Sequence, residues 1–146
     1  MPSPVKFRTL LLRCARLMTD EYNVILLPYQ LNYSLWQVLY VIQAQSELTS
    51  IDLAKYLNVS KPSIAKRVHT LLQLELLEQV FTEDKRQKKL KLSKQGQNLF
   101  KTCSQKIDQF EQQLLVDINS NHLKQSADML SQLLNRLEHQ SQGVDA

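Results

Sequence analysis

The chain contains few residues that break helices, with only two glycines and four prolines among its 146 residues. Because glycine and proline both disfavour helix interiors, this shortage, together with frequent Leu, Gln and Lys, predicts a mainly α-helical protein. The length indicates a single domain, residues 1–146, and the 43% of apolar residues is enough for that domain to form its own core.

Other absences narrow the class of protein. There is no run of about eighteen apolar residues and no signal-peptide pattern, so we expect neither a membrane span nor secretion. Cys14 and Cys103 show no disulfide-framework spacing, which favours reduced thiols in the cytoplasm. The sequence has no glycine-rich phosphate loop, nucleophile elbow or close pair of acids, and we therefore predict that it is not an enzyme and needs no cofactor.

Positive charge is concentrated in one part of the chain. Ten of the 18 Lys and Arg residues, but only four of the 14 acids, fall between Lys55 and Lys94, giving that window a net charge of +6 against +4 for the whole chain. Such a concentration is typical of proteins that bind nucleic acid, since phosphate contacts and counterion release supply much of the affinity.

Apolar periodicity predicts a long amphipathic first helix over about residues 5–27, ended by Pro28. A second helix is predicted to begin at Ser34 and to reach about residue 45, with the Ser34 hydroxyl as its cap and Gln37 completing a capping box. Two further helices, about 94–119 and 122–140, follow Ser93 and carry apolar stripes.

Between these helices the sequence predicts a helix-turn-helix. Thr49 and Asp52 form the pattern of a capping box, and Asn58 suits the left-handed turn between two helices. Ser60 is then the cap of the next helix, whose first turn accommodates Pro62. The outward side of that helix is predicted to be polar and cationic, with Lys61, Ser63, Lys66, Arg67 and Thr70.

From residue 77 to residue 93 the apolar period changes from helical to alternating, which predicts a β-hairpin. Val80, Phe81, Leu90 and Leu92 are its apolar residues, and the polar tip extends from Glu83 to Lys88. A helix-turn-helix followed by such a hairpin is the layout of a winged helix, so the predicted fold class is mainly α with a small β-hairpin wing, flanked by long N- and C-terminal helices.

The order of these elements resembles the MarR (multiple antibiotic resistance regulator) family of bacterial transcription factors. Two motifs carry the resemblance: Leu53-Ala54-x-x-Leu57-x-Val59-Ser60-x-Pro62-Ser63 and Asp84-x-Arg86-x-x-x-Leu90-x-Leu92-Ser93-x-x-Gly96. Two residues depart from the family pattern. Glu75 stands where many relatives have glycine. Lys66 stands where arginine is frequent, so a compact ammonium replaces a planar guanidinium that could form two parallel hydrogen bonds.

The resemblance implies a winged lobe at about 34–93 and dimerisation helices at about 5–27 and 94–140. It also implies that the recognition helix binds the major groove of DNA through Ser60, Lys61, Pro62, Ser63, Lys66, Arg67 and Thr70. The wing would contact DNA through Lys85, Arg86 and Lys88, with Arg86 in the minor groove and Asp84 stabilising the wing loop. Thr49 and Ser50 are the candidates for phosphate contacts.

On this basis we expect a homodimeric regulator, a repressor more readily than an activator, that binds double-stranded DNA at a pseudo-palindromic operator. Family members bind effectors between the dimerisation helices and the winged lobe. The candidates for a pocket that would take an aromatic or phenolic effector are Arg16, Tyr33, Trp36 and Tyr40, while packing in the helical core is the alternative role for the aromatic residues.

Three alternatives remain open from the sequence. A winged helix can also dock a protein partner, with its basic face on an acidic surface. Cys14 could make the regulator a thiol-based redox sensor. His69, His122 and His139 could bind a metal, but their scattered spacing is not that of a metal site, so we predict none.

Overall fold

The computed structural model describes residues 5–81, 83–84 and 88–144, with side-chain exposure described as far as residue 140. The described chain contains helices α1 (Phe7–Leu26), α2 (Tyr33–Gln45), α3 (Ser50–Leu57), α4 (Lys61–Gln73), α5 (Lys94–Leu114) and α6 (Ser120–Val144). Its strands are β1 (Leu48–Thr49), β2 (Leu77–Phe81) and β3 (Lys88–Leu92), and a short 3-10 turn, Leu27–Tyr29, follows α1. The predicted fold class is confirmed.

The chain folds as two compact units, residues 1–108 and residues 109–146. The first contains α1 to α4, the three strands and most of α5. The second contains the end of α5 and all of α6. Within the described residues, no helix is both long enough and apolar enough to span a membrane.

The passage from α1 to α2 contains one wrong prediction. Pro28 lies in the 3-10 turn that follows α1, as expected, but Asn32 rather than Ser34 caps α2. The Asn32 side chain accepts a hydrogen bond from the Leu35 N–H at 2.9 Å, so the helix begins one residue before the predicted cap. Asn23 of α1 also accepts a bond from the Tyr33 N–H at 2.7 Å, which ties the two helices together.

The helix-turn-helix forms as predicted. Thr49 and Asp52 make both bonds of the capping box of α3, and Asn58 ends that helix in the left-handed conformation at φ 56° and ψ 47°. Ser60 caps α4 through the Ser63 N–H, and Pro62 lies in the first turn of α4, where no intrahelical bond is lost.

The hairpin belongs to a three-stranded antiparallel sheet with strand order β1-β3-β2. β2 and β3 pair from Leu77 opposite Leu92 to Phe81 opposite Lys88. The third strand, β1, was not predicted because its two residues are too few to show an alternating pattern. It pairs Leu48 with Leu90, so the residues just before α3 lie against the central strand of the wing.

The core lies in the first unit and is built around α2, from which six residues are buried. Leu53 and Ala54 of α3, and Ile64, Val68 and Leu71 of α4, are buried in the same cluster. The remaining buried apolar residues come from α1, the loops, the wing and α5: Leu26, Leu31, Leu76, Leu77, Leu90, Leu92, Cys103 and Ile107. This shared core holds the short helices α3 and α4 in place.

The two C-terminal helices differ from their predicted bounds. α5 ends at Leu114, five residues before its predicted end, and Asp117 in the following turn has a positive φ of 68°. α6 begins at Ser120, where the Asn119 side chain accepts bonds from the N–H groups of Asn121 and His122. Because Asp117 is not a glycine, the sequence carries no clear signal of this turn.

Ser93 joins the wing to α5. Its N–H donates to the Leu76 carbonyl at 3.0 Å, and its hydroxyl donates to the Glu75 carbonyl at 2.7 Å while accepting from the Gly96 N–H at 2.9 Å. Glu75 has a positive φ of 62°, the left-handed conformation that favours glycine, which is the residue that the resemblance leads us to expect at this position. A Cβ on Gly96 would overlap the Leu76 carbonyl oxygen, so α5 approaches this backbone as closely as a glycine permits.

We therefore expect Gly96→Ala to lower the free energy of unfolding by about 3 kcal/mol, because the obstructing atom belongs to the backbone and cannot rotate away. Gln97→Ala, an exposed change in the same helical turn, is the control and should alter stability by less than about 0.5 kcal/mol. Urea unfolding monitored by circular dichroism measures both. Equal stability of the two variants would contradict the close approach.

Candidate nucleic-acid interface

The recognition helix α4 has one buried and one exposed side. Ile64, Val68 and Leu71 face the core, whereas the first turn and Lys66 are exposed. Of the predicted contact residues, the structure therefore places five in solvent: Ser60, Lys61, Pro62, Ser63 and Lys66. They lie at the N-cap and in the first two turns of α4, and we call this set of residues the recognition face.

Two serine hydroxyls of the recognition face have different hydrogen bonds. The Ser60 hydroxyl oxygen accepts from the Ser63 N–H at 3.3 Å, and the two hydroxyl oxygens share a hydrogen bond at 2.9 Å. That bond uses one of the two hydroxyl protons, so the pair keeps one proton that can be donated to a ligand.

The outward orientation predicted for Arg67 is wrong. Its side chain is half-buried, and its Nη1 donates to the Ser34 carbonyl at 3.3 Å and to Gln37 Oε1 at 3.2 Å, both on α2. Thr70 is also half-buried, and its hydroxyl donates to the Lys66 carbonyl at 3.1 Å. Helical periodicity failed here because both positions lie at the edge of the apolar side; Arg67 meets the neighbouring helix α2, and the Thr70 hydroxyl turns back onto its own helix.

The start of α3 is the second part of the surface. Hydrogen bonds from the side chain and the backbone of Thr49 hold the pKa of Asp52 below its ordinary value of 3.8. Burial opposes this lowering of the pKa, and the charges of Lys55 and Lys89 add weaker lowering effects. Thr49 is half-buried and committed to the capping box, whereas Ser50 is exposed. Since the Asp52 carboxylate would repel a phosphate, Ser50 is the stronger candidate for a phosphate contact.

The wing supplies the third part. Lys88 and Lys91 are exposed, and Lys89 is half-buried beside Thr49, its partner in the sheet. Lys91 forms an ion pair with Glu78 at 3.8 Å, and an exposed pair of this kind contributes little to stability. Asp84 is exposed at the tip. The predicted contacts Lys85 and Arg86 lie outside the described residues.

An exposed phenylalanine on the wing was not selected from the sequence as a site residue. Phe81 is 76% exposed and stands opposite Lys88 at the end of the hairpin. Its position follows from the pairing register, which places an apolar and a cationic side chain together on one face near the tip. The sequence does not show which residues of the two strands stand opposite each other, so only the pairing of β2 with β3 reveals that Phe81 lies beside Lys88.

The four candidate pocket residues are distributed over different surroundings. Trp36 is 6% exposed and stacks on Phe100 with ring centroids 4.8 Å apart, whereas Tyr40 is 57% exposed and lies 6.4 Å from the same ring. Trp36 is therefore a core residue, in agreement with the packing alternative. Phe100, which no motif in the sequence marks as a site residue, is therefore near both rings.

The other two candidates have local partners. Tyr33 meets Tyr22 edge to face, with ring centroids 5.8 Å apart. Arg16 pairs with Asp20 one turn further along α1, at 3.5 Å, and both side chains are largely exposed. The structure thus groups Trp36 and Tyr40 around Phe100 and pairs Arg16 with Asp20.

The two thiols differ in environment. Cys14 is exposed on α1, whereas Cys103 is buried. Burial raises the pKa of the Cys103 thiol, an effect that the charge of Lys106 partly opposes, and such a buried thiol acts as a packing residue. Within the described residues, no three His, Cys, Asp or Glu side chains are grouped in a way that could hold a metal ion.

Comparison with known proteins agrees with this geometry. A sequence model of the MarR family matches residues 29–87, which contain the helix-turn-helix and most of the wing. The uncharacterised HTH-type transcriptional regulator YwoH of Bacillus subtilis is 31% identical over 103 residues, which cover 70% of this chain and 75% of that protein.

The chain belongs to the MarR family. It is accordingly a MarR-family transcriptional regulator. Solved structures of the family share its fold at lower sequence identity. MarR of Escherichia coli in its apo form is 20% identical, with a TM-score of 0.77 over 90% of this chain and 98% of that one. MepR of Staphylococcus aureus, solved as a DNA complex, is 20% identical, with a TM-score of 0.79 over 90% of this chain and 96% of the other.

The capping box of α3 generates a prediction about pH. Because the pKa of Asp52 is lowered in the folded state, its stabilising effect is present above the unfolded value and is lost as the pH falls through the folded one. Thr49→Ala should therefore cost about 1 kcal/mol of unfolding free energy near neutral pH. The cost should be smaller at about pH 3.

Urea unfolding at both pH values measures this difference. Ser50→Ala is the control, since Ser50 is exposed and occupies the first position of α3, beside the cap. A loss for Thr49→Ala that is the same at both pH values would show that the carboxylate takes no part.

Proposed function

We propose that this MarR-family protein is a homodimeric repressor that binds a pseudo-palindromic operator in double-stranded DNA. One observation carries the proposal: the first two turns of α4 expose Lys61, Ser63 and Lys66 while the opposite side of the helix is fixed in the core. A rigid helix with an exposed polar and cationic side fits the major groove, where base edges can be distinguished.

Within the recognition face, we assign different roles to the exposed residues. The Ser60–Ser63 pair has one hydroxyl proton to donate to a base edge or a phosphate, and Lys66 supplies a point charge that suits either. Lys61 lies in the first turn, where a phosphate contact also benefits from the partial positive charge of the helix N-terminus. Ser60 and Pro62 shape this end of the helix and would lie against the DNA backbone.

For the wing, we propose that Arg86 enters the minor groove, with Lys85 and Lys88 contacting phosphates on either side. A guanidinium in a narrow minor groove responds to the width and potential of the groove more than to the bases themselves. Asp84 would keep the loop in place. Lys88 supports this proposal from the described part of the wing, because it is exposed and faces the same side as Phe81.

A homodimer is proposed because apolar residues are exposed along both α1 and α6. Several are at least 40% exposed, which is unusual for large apolar side chains at this density: Phe7, Leu10, Leu12, Leu17, Leu123, Met129, Leu130, Leu134 and Leu137. A second copy would bury them. Two-fold symmetry would then direct two recognition helices toward half-sites about one helical turn apart.

We further propose that an effector controls this spacing. Trp36 and Tyr40 both lie near the Phe100 ring, and of these two residues only Tyr40 is exposed. Tyr40 is therefore the place where an aromatic or phenolic ligand could contact the winged lobe. Such a ligand would shift the equilibrium between two arrangements of the dimer only as far as it binds one of them more tightly. The protein would act in the cytoplasm by binding and not by catalysis.

A winged-helix module that docks an acidic protein surface is the second candidate function, supported by the same exposed lysines. Salt dependence and sequence preference separate the two. A protein that neutralises several phosphates should lose orders of magnitude in affinity between low and moderate salt, with a slope that counts the contacts.

The first test is fluorescence anisotropy with a pool of random-sequence duplexes over a salt series, followed by sequencing of the duplexes retained at the highest salt. We expect enrichment of one palindromic motif. Salt-sensitive binding without enrichment would contradict sequence-specific regulation, and absence of binding at low salt would favour the protein-docking function.

With the enriched duplex in hand, Arg86→Ala should weaken binding by roughly 1–3 kcal/mol while leaving the dimer intact. Lys66→Ala should also weaken it, and selectively for the preferred sequence if Lys66 contacts bases. Lys124→Ala removes an exposed charge from α6 and is the control, with little expected effect. Unchanged affinity of Arg86→Ala would refute the role assigned to the wing.

A further inference from the structure

We propose that Arg67 is a positioning residue for the recognition helix: it holds α4 against the start of α2 and thereby fixes the orientation of the recognition face, without itself contacting DNA. The proposal rests on the DNA-binding function proposed above. It assigns to one of the ten basic residues of the charged window a role that its charge alone does not suggest.

The contacts that support it are specific. Arg67 Nη1 donates to two acceptors on α2, the Ser34 carbonyl at 3.3 Å and Gln37 Oε1 at 3.2 Å, across sequence separations of 33 and 30 residues. The side chain is half-buried, whereas Lys61 and Lys66 on the same helix are exposed. The guanidinium is therefore engaged within the protein before any ligand arrives.

The position of Arg67 on α4 explains this geometry. It follows Ile64 by three residues and precedes Leu71 by four, so all three lie along one flank of the helix, two of them fully buried. The aliphatic stem can then lie along the apolar boundary while the polar end reaches α2. Lysine in this position would offer a more strongly hydrated ammonium instead of a planar fork.

The acceptors lie on a fixed part of the structure. Asn32 caps the first turn of α2, and Asn23 of α1 accepts from the Tyr33 N–H at 2.7 Å. Leu35 and Val38, beside the two acceptors in sequence, are buried. The start of α2 is thus held from several directions and can serve as a reference for the orientation of α4.

A directional contact adds something that the apolar contacts of α4 cannot. Burial of Ile64, Val68 and Leu71 holds the helix to the core, but the hydrophobic effect has no preferred direction. Hydrogen bonds weaken steeply away from their favoured angles. The two bonds of Arg67 would therefore restrict rotation of α4 about its own axis, which determines where Ser63 and Lys66 point.

This role has a measurable signature in DNA binding. If Arg67 positions the helix and makes no phosphate contact, its loss weakens binding while the dependence on salt stays the same. If Arg67 contacts a phosphate, Arg67→Ala makes the slope of log affinity against log salt less steep by about 0.9. Lys66→Ala, one residue away on the exposed side, is the comparison for loss of a true DNA contact.

The experiment is a double-mutant cycle of Arg67→Ala and Gln37→Ala, measured on the enriched duplex over a salt series. We expect each single change to weaken binding by roughly 3- to 10-fold, the net effect of losing one hydrogen bond of ordinary strength. In the Arg67→Ala background, Gln37→Ala should have little further effect, because its partner is already gone. Arg67→Lys should retain part of the affinity.

Two further readouts separate positioning from a general loss of stability. Stoichiometric titration gives the active fraction of each variant, so affinity is compared per folded molecule. Duplexes altered at single positions give the sequence preference, and a misplaced helix should lose discrimination at several positions of the half-site together.

Additive losses in the cycle, a salt slope reduced by one phosphate in Arg67→Ala, or altered preference at a single base pair would each overturn the proposal. If the wild-type protein binds no duplex, the DNA-binding function itself fails. The contact between Arg67 and α2 is then tested by the same cycle in urea unfolding without DNA. Additive changes in unfolding free energy for Arg67→Ala and Gln37→Ala would refute it.

Discussion

Burial of α4 against α2 is the constraint on which the rest of the structure depends. α3 has eight residues and α4 thirteen, lengths at which isolated helices are marginal in water. They persist because Leu53, Ile64 and Leu71 are fully buried in a cluster centred on α2. The same burial leaves the polar side of α4 outside, so the core that stabilises the helix also determines which residues are presented to a ligand.

Neighbouring residues of α4 consequently have different tasks. Lys66 is exposed and its ammonium lies in solvent, whereas the guanidinium of Arg67 donates hydrogen bonds to Ser34 and Gln37. Asp52 moderates the positive field at the start of α3, and Glu78 pairs with Lys91 on the wing. The number of basic residues in the window therefore overstates how many of them are free to contact a polyanion, and their distribution decides where one could bind.

The connection between the wing and α5 shows how tightly this lobe is joined to the helix that follows. Ser93 bonds to the backbone of both Glu75 and Leu76 and caps α5 through Gly96. Apart from the Ser93 hydroxyl, the groups that form these bonds belong to the main chain. Because main-chain atoms cannot rotate away, the connection leaves little room for a side chain at position 96. Glu75 keeps its left-handed conformation at this point although it has a side chain, because the bonds around it fix the backbone.

The sequence by itself determined the helical class, the capping residues Thr49 and Ser60, the left-handed Asn58 and the motifs of the family, because these depend on local chemistry and on spacing along the chain. Tertiary structure alone decided the Asn32 cap, strand β1, the stacking of Trp36 on Phe100 and the inward orientation of Arg67. Each of these depends on a partner distant in sequence or on a competition between nearby caps, and helical periodicity cannot say which element lies beside an edge position. The candidate site was thus located from the sequence, but the division of its basic residues between surface and interior was not.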